Sequence, residues 1–230
     1  MTGLDRWPGA ERRAPSRSSA TWVVRSALAR WLQEQAHVAG ERGRVRVLDV
    51  GCGPKPYYPF FADVAGEYVG VDVVENPAAE LRGAVEALPV EDGAFDLVLC
   101  TQVLEHCDDP AQAVRELRRV TAPGGRVLAS THGVQVYHPS PVDYWRWTHE
   151  GLRRLFETNA AWSSLTVEPA AGTASALAML LGTYVEIALR RTFLARPPVW
   201  LLNSAGATSS STHSALSRKS FARPSCVHRQ

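Results

Sequence analysis

Apolar positions along the chain fall into two kinds of run. Val45 to Val50, Tyr68 to Val71, Phe95 to Cys100 and Arg126 to Thr131 are short, rich in β-branched residues and flanked by glycine or turn residues. Such runs are what parallel strands buried on both faces look like. Between and around them the apolar spacing changes to that of helices. Ser18 to Val38 places Trp22, Val23, Ala27, Leu28, Trp31 and Leu32 on one face, with Ser18 or Ser19 as cap. Asp109-Pro110 is a capped helix start with proline at the first helical position, and Pro123-Gly124-Gly125 stops that helix after Val120. Thr148 caps a further helix to about Ala160, Leu165-Thr166-Val167 reads as a sixth strand, and Gly172 to Leu189 is apolar nearly all round. Strands alternating with helices predict a doubly wound, mostly parallel, Rossmann-like α/β sheet with helices on both faces.

Within that alternation, Gly51-Cys52-Gly53 forms a tight turn directly after the first strand, where backbone without a Cβ can come close to a ligand. Asp72 ends the next strand, 19 residues past Gly53, and is placed to accept from two ribose hydroxyls. A nucleotide-like ligand follows. A dinucleotide fingerprint would need a third glycine where this chain has Pro56. Asp49, just before the turn, would repel a pyrophosphate but suits the amino group of an amino-acid-bearing nucleoside.

At these residues the chain resembles the class I S-adenosylmethionine-dependent methyltransferases of the type 11 family. VLDVGCG resembles the first motif of that family and VGVDV the second; FDLVLCTQVLEHCDDP and LRRVTAPGGRVLAST resemble the motifs around strands four and five. The resemblance covers residues 45–131 and implies S-adenosyl-L-methionine as cofactor. It implies that Asp49, Gly51 and Gly53 surround the methionine portion, that Asp72 holds the ribose, and that Val73, Ala87 and Leu88 lie by the adenine. Gln102 would approach the methionine end from strand four. The family's acid before the Ala-x-x-Leu-Pro stretch is replaced by Ala84, with Glu86 or a backbone carbonyl as substitute. The family's last, antiparallel strand seven has no counterpart here, so that strand is expected to be missing or replaced by helix.

Charge divides the chain. Of 25 basic side chains, seven follow Glu186, after which no acid occurs, leaving 18 basic against 23 acidic side chains in the first 186 residues. A mildly acidic body argues against nucleic acid as partner. The expected organisation is a disordered tail over 1–17, one domain over 18–202 with a substrate lid over 131–160, and a disordered, serine-rich tail over 203–230. The apolar run in 174–196 is too short to span a bilayer; it reads as a buried or dimer-forming helix, or as a weak membrane-surface contact beside Arg190, Arg191 and Arg196. The four cysteines have no metal-binding spacing, no metal is expected, and reduced thiols point to a cytoplasmic setting. The interrupted N-terminal apolar stretch does not read as a signal peptide.

The stretch from His132 to His149 packs histidines, tyrosines, tryptophans, Asp143 and Arg146 into the loop that leaves the fifth strand. A base that removes a proton from an acceptor hydroxyl should titrate near neutrality, which favours histidine. His132 ranks first, then His138 and Asp143. The expected activity is methyl transfer to a small molecule, at an oxygen of a sugar, a lipid-linked compound or a secondary metabolite. A non-catalytic cofactor-binding module and a nicotinamide-dependent oxidoreductase remain open beside it.

Overall fold

A computed structural model of the chain describes residues 6–137, 141–189 and 193–207. By contacts these residues fall into two compact units, one of 6–15 with 25–169, the other of 16–24 with the described residues from 170 on. Sequence patterning suggested one domain over 18–202 because it registers local periodicity, not which helices pack together.

The first unit is a five-stranded sheet: β1 (Val45–Val50), β2 (Ala65–Asp72), β3 (Leu81–Arg82), β4 (Phe95–Thr101) and β5 (Thr121–Ser130), in the order β3-β2-β1-β4-β5. Every pairing is parallel. The chain winds outward from β1 to β3, returns to β4 beside β1, and winds outward again. That reversal opens a crevice at the carboxyl ends of β1 and β4, where open α/β sheets take their ligands.

Strand periodicity decides which face each residue meets. Val45 and Val47 of β1, with Leu97 and Leu99 of β4, join Leu28, Leu32, Ala36 and Ala39 of α2 (Trp22–Gly40) and Phe61 of α3 (Tyr58–Phe61). Leu48, Val50, Val98 and Cys100 face the other way, onto Ala113, Val114, Leu117 and Val120 of α4 (Pro110–Val120) and Phe156 of α5 (His149–Asn159). The leading helix therefore packs against the sheet. Caps hold two of these helices as their sequences predict: Asp109 Oδ1 accepts from Gln112 N at 3.0 Å and Thr148 Oγ1 from Gly151 N at 3.1 Å.

Several expectations give way to longer-range contacts. Residues 165–167 are not a strand; Leu165 instead packs on the α5 side of the core. β3 has no run of its own, only two residues held by pairing to Val71 and Asp72. The lead, expected to lack order over 1–17, contains α1 (Ala10–Arg13) and is fastened to the sheet unit. Trp7 Nε1 donates to Lys55 O at 2.8 Å, Arg13 reaches Pro56 O at 2.5 Å, and the Trp7 and Tyr58 rings lie 4.6 Å apart. In the second unit, α6 (Thr173–Ala188) is followed by α7, a helix over 196–207. Helix thus continues past 202, where serine content had suggested disorder; residues 208–230 lie outside the described residues. No antiparallel seventh strand occurs among the described residues.

Candidate functional site

Three chain segments converge at the carboxyl ends of β1, β2 and β4. Gly51 and Gly53 both take left-handed backbone, φ 65° and 50°. Gly51 N donates to Val71 O at 2.8 Å and Cys52 N to the same oxygen at 3.1 Å, which folds the turn back onto β2. A Cβ on Gly51 would stand 2.4 Å from Val103 Cγ2, so glycine there lets the turns after β1 and β4 close on each other. A Cβ on Gly53 would meet nothing within 4 Å. That open space beside a bare backbone is the cradle a ligand needs.

Carboxylates stand on either side of it. Asp72 accepts from Gly53 N (3.0 Å), Asn76 Nδ2 (3.0 Å) and Val74 N (3.3 Å), which fixes its orientation at the end of β2 and leaves acceptor capacity for a hydroxyl. Asp49 is buried and accepts from Tyr68 Oη at 2.7 Å. Burial pushes its carboxyl up to about 6; the Tyr68 hydrogen bond and the Lys55 ammonium oppose that rise, and the charges of Asp72 and Glu80 add to it. Asp49 is thus poised to change charge just below neutral pH.

Under the turn lies a polar cluster that sequence reading missed. Lys55, at φ 51°, is buried and pairs with Glu80 at 2.5 Å. Its stem crosses β2 at Gly70, where a Cβ would lie 2.4 Å from Lys55 Cε. Glu80 also accepts from Gly70 N at 2.6 Å; its carboxyl sits low because Lys55 and that N–H outweigh the opposing effect of burial. Lys55 Nζ lies 5.7 Å from the Tyr68 ring centre, linking the ion pair to the tyrosine that holds Asp49. Lys55 could have been singled out as a non-glycine residue two positions beyond the turn. Glu80 gives no local signal, since its role depends on the β2–β3 pairing.

The remaining expected cofactor residues separate. Val73 is exposed and Ala87 is exposed. The Leu88 side chain is committed to the main core, and its N–H donates to the buried Glu116 at 2.9 Å. Gln102 is the second non-glycine residue with left-handed backbone, φ 57°. Its N–H donates to Ser130 O at 2.8 Å and its amide to Ser130 Oγ at 3.1 Å, joining the ends of β4 and β5.

On the β4–β5 side, Glu105 is fully buried, and burial raises its carboxyl. Thr131 Oγ1 donates to its Oε2 at 2.8 Å. Its Oε1 lies 3.3 Å from His132 Nε2, close enough for attraction between charges but off the line of a hydrogen bond. Sequence reading ranked His132 without seeing this carboxylate, which the 3₁₀ turn Leu104–His106 directs inward. The loop beyond β5 is docked on the same turn. Tyr144 N and Trp145 N donate to Glu105 O (2.8 and 3.2 Å), Trp145 Nε1 to Cys107 O (2.8 Å), and Trp147 N to His132 O (3.2 Å). His106 Nδ1 pairs with Val142 O at 2.8 Å, and since a carbonyl only accepts, the proton sits on Nδ1. The side chain of Asp143, a candidate base from sequence, is buried, with both oxygens accepting from Arg146. That pairing commits it to holding the loop. His138 lies outside the described residues.

Among the described residues the thiols do not add reactivity. Burial pushes Cys52 and Cys107 up to about 12 and Cys100 well above its usual value. Among the described residues no cluster of side chains has the makeup of a metal site.

Residues 48–129 match a family model described as a methyltransferase domain. Ubiquinone biosynthesis O-methyltransferase of Pseudomonas aeruginosa is 33 % identical over 116 residues, covering 44 % of this chain and 48 % of that protein. Malonyl-(acyl-carrier protein) O-methyltransferase of Erwinia billingiae is 32 % identical over 116 residues, covering 46 % of each. The chain thus spans about half the length of the curated relatives it matches. A solved 1,6-didemethyltoxoflavin-N1-methyltransferase of Burkholderia thailandensis, bound to its ligand and S-adenosylhomocysteine, is 21 % identical, covers 58 % of this chain and 67 % of that one, and has a TM-score of 0.48. The matched residues lie across β1 to β5, with the motifs on the strands that the sequence predicts, and over them the chain is similar to methyltransferase domains.

Proposed function

We propose that the chain transfers a methyl group from S-adenosylmethionine to an oxygen of a small-molecule acceptor. The observation that carries this reading is the open Gly51–Gly53 turn between Asp49 and Asp72. One carboxylate suits an amino group and the other a pair of ribose hydroxyls, which together fit an amino-acid-bearing nucleoside better than a dinucleotide. Bound there, S-adenosylmethionine would supply a methyl group already activated on a sulfonium sulfur. The chain's own tasks are then to hold the acceptor close, exclude water and take a proton. His132, whose Nε2 lies 3.3 Å from the buried Glu105 Oε1, is the residue we assign to the proton. The names of the two curated relatives support oxygen as the nucleophile. Exposed Val134, Tyr137, Tyr144 and Trp145 on the loop beyond β5 support an acceptor with an apolar or flat portion, such as a lipid-linked compound or a phenolic secondary metabolite. Buried, protonated thiols support a reducing, cytoplasmic setting.

Calorimetric titration of the full chain tests the reading. S-adenosylmethionine and S-adenosylhomocysteine should both bind and NAD should not; absence of binding by either sulfur nucleoside ends it. Transfer of labelled methyl into a metabolite extract then separates an enzyme from a module that only binds the cofactor.

A further inference from the structure

The second unit is mounted with its small residues inward. On α6, Ser175, Ala178, Met179 and Gly182 are buried. A Cβ on Gly182 would lie 3.5 Å from Ala20 Cβ and 3.7 Å from Val199 Cγ1, and one on Gly206 of α7 would lie 3.0 Å from Ala178 Cβ. Close packing of small residues is what joins these segments. Asn203, buried on α7, donates to Arg17 O (2.8 Å) and Ser19 O (2.9 Å), and Glu186 accepts from Ala20 N at 2.8 Å.

The large apolar side chains are left outside. Leu177, Leu181, Tyr184 and Ile187 are 57 %, 46 %, 64 % and 55 % exposed. Their spacing of four, three and three places them in one stripe along the helix. Trp200 and Leu201 are exposed on α7, and Trp200, Leu201, Pro197 and Arg196 line a shallow, mostly apolar hollow with Ser18. A helix that only served this unit's core would bury its leucines and expose its alanines, so the stripe is open to a partner outside the unit.

Charge says which partner. The residues of this unit include eight arginines and lysines and a single acid, Glu186, whose carboxylate is already engaged with Ala20 N. Two copies of so cationic a unit would repel each other. A segment whose sequence is this cationic, carrying an exposed apolar stripe, has the composition an anionic lipid interface takes, apolar side chains entering the acyl boundary and basic ones meeting headgroup phosphates. Among the described residues no helix is long and apolar enough to cross a membrane, which fits a helix lying along the surface. We propose that this unit docks on the surface of an anionic bilayer through Leu177, Leu181, Tyr184 and Ile187.

Vesicle flotation of the full chain tests this independently of any methyl transfer. Vesicles of phosphatidylcholine with added phosphatidylglycerol should carry at least about tenfold more protein than phosphatidylcholine alone, and high salt should release most of it. The double variant Leu181→Glu/Ile187→Glu, at exposed positions, should keep the far-ultraviolet circular dichroism of the parent and lose flotation. Equal partitioning to both vesicle types, or undiminished flotation of the double variant, overturns the proposal. So does a dimer in sedimentation equilibrium that the double variant dissolves, since the stripe would then be a contact between copies.

Discussion

Tyr68→Phe is the substitution that most directly tests the electrostatics of the site. It removes one hydroxyl from β2 and leaves the ring that packs against Phe61 and Tyr58. In the parent, Asp49 titrates at about 6 against an ordinary value of 3.8, so keeping it ionised at neutral pH costs the fold about 3 kcal/mol. The sign follows from the direction. A carboxyl raised in the folded state lends stability below its ordinary value, and that stability is lost as pH rises through about 6. The Tyr68 hydroxyl limits the loss by donating to the charged oxygen. A hydrogen bond to a charged group contributes about 1.5–3 kcal/mol, so removing it should move the Asp49 midpoint up by a further one to two pH units or so. Urea denaturation followed across pH should show the variant close to the parent at about pH 5 and less stable by about 1.5–3 kcal/mol at about pH 8. Affinity for S-adenosylhomocysteine, measured on the same samples, should rise with pH through a midpoint displaced upward in the variant. A stability gap of the same size at both ends of that range would refute the reasoning, because it would mean the hydroxyl acts through packing and not through the Asp49 charge.

The two glycines of the turn should separate stability from binding. Gly51→Ala combines left-handed backbone with a Cβ placed 2.4 Å from Val103 and should cost about 2–4 kcal/mol in denaturation experiments. Gly53→Ala meets open space and should cost only about 1 kcal/mol, yet weaken S-adenosylhomocysteine at least about tenfold in calorimetry, since its methyl occupies the cradle. His132→Ala should leave cofactor affinity nearly intact and lower turnover by about 10²–10⁴-fold once an acceptor is in hand; unchanged turnover would remove it from the mechanism. Thr148→Ala takes the cap from α5 and should lower stability by about 1 kcal/mol without altering cofactor affinity.

The local signals in the chain are strong where one residue type answers one local demand. β1 and β4 begin where their apolar runs begin, α4 starts at its Asp-Pro cap, and Gly51 and Gly53 take the left-handed backbone their turn needs. Asp49 stood out because it adjoins that turn in the sequence, and Asp72 because it ends the next apolar run. Tertiary contacts decided what no local run encodes. β3 exists through pairing alone, Leu165 is drawn into the core and not into a strand, and the segment from Trp7 to Arg13 is held by the Lys55 and Pro56 carbonyls. The same holds for chemistry. A carboxylate's charge depends on what surrounds it, and Tyr68, Lys55 and Glu80 reach Asp49's neighbourhood only when β2 lies beside β1 and Gly70 opens a path across it. Asp143 looked like a base in the sequence, and only the folded loop, by bringing Arg146 onto both its oxygens, made it an anchor. Sequence periodicity also showed that α6 is apolar, but burial of its small face and exposure of its leucines follow from which neighbours it meets, a property of the packed unit.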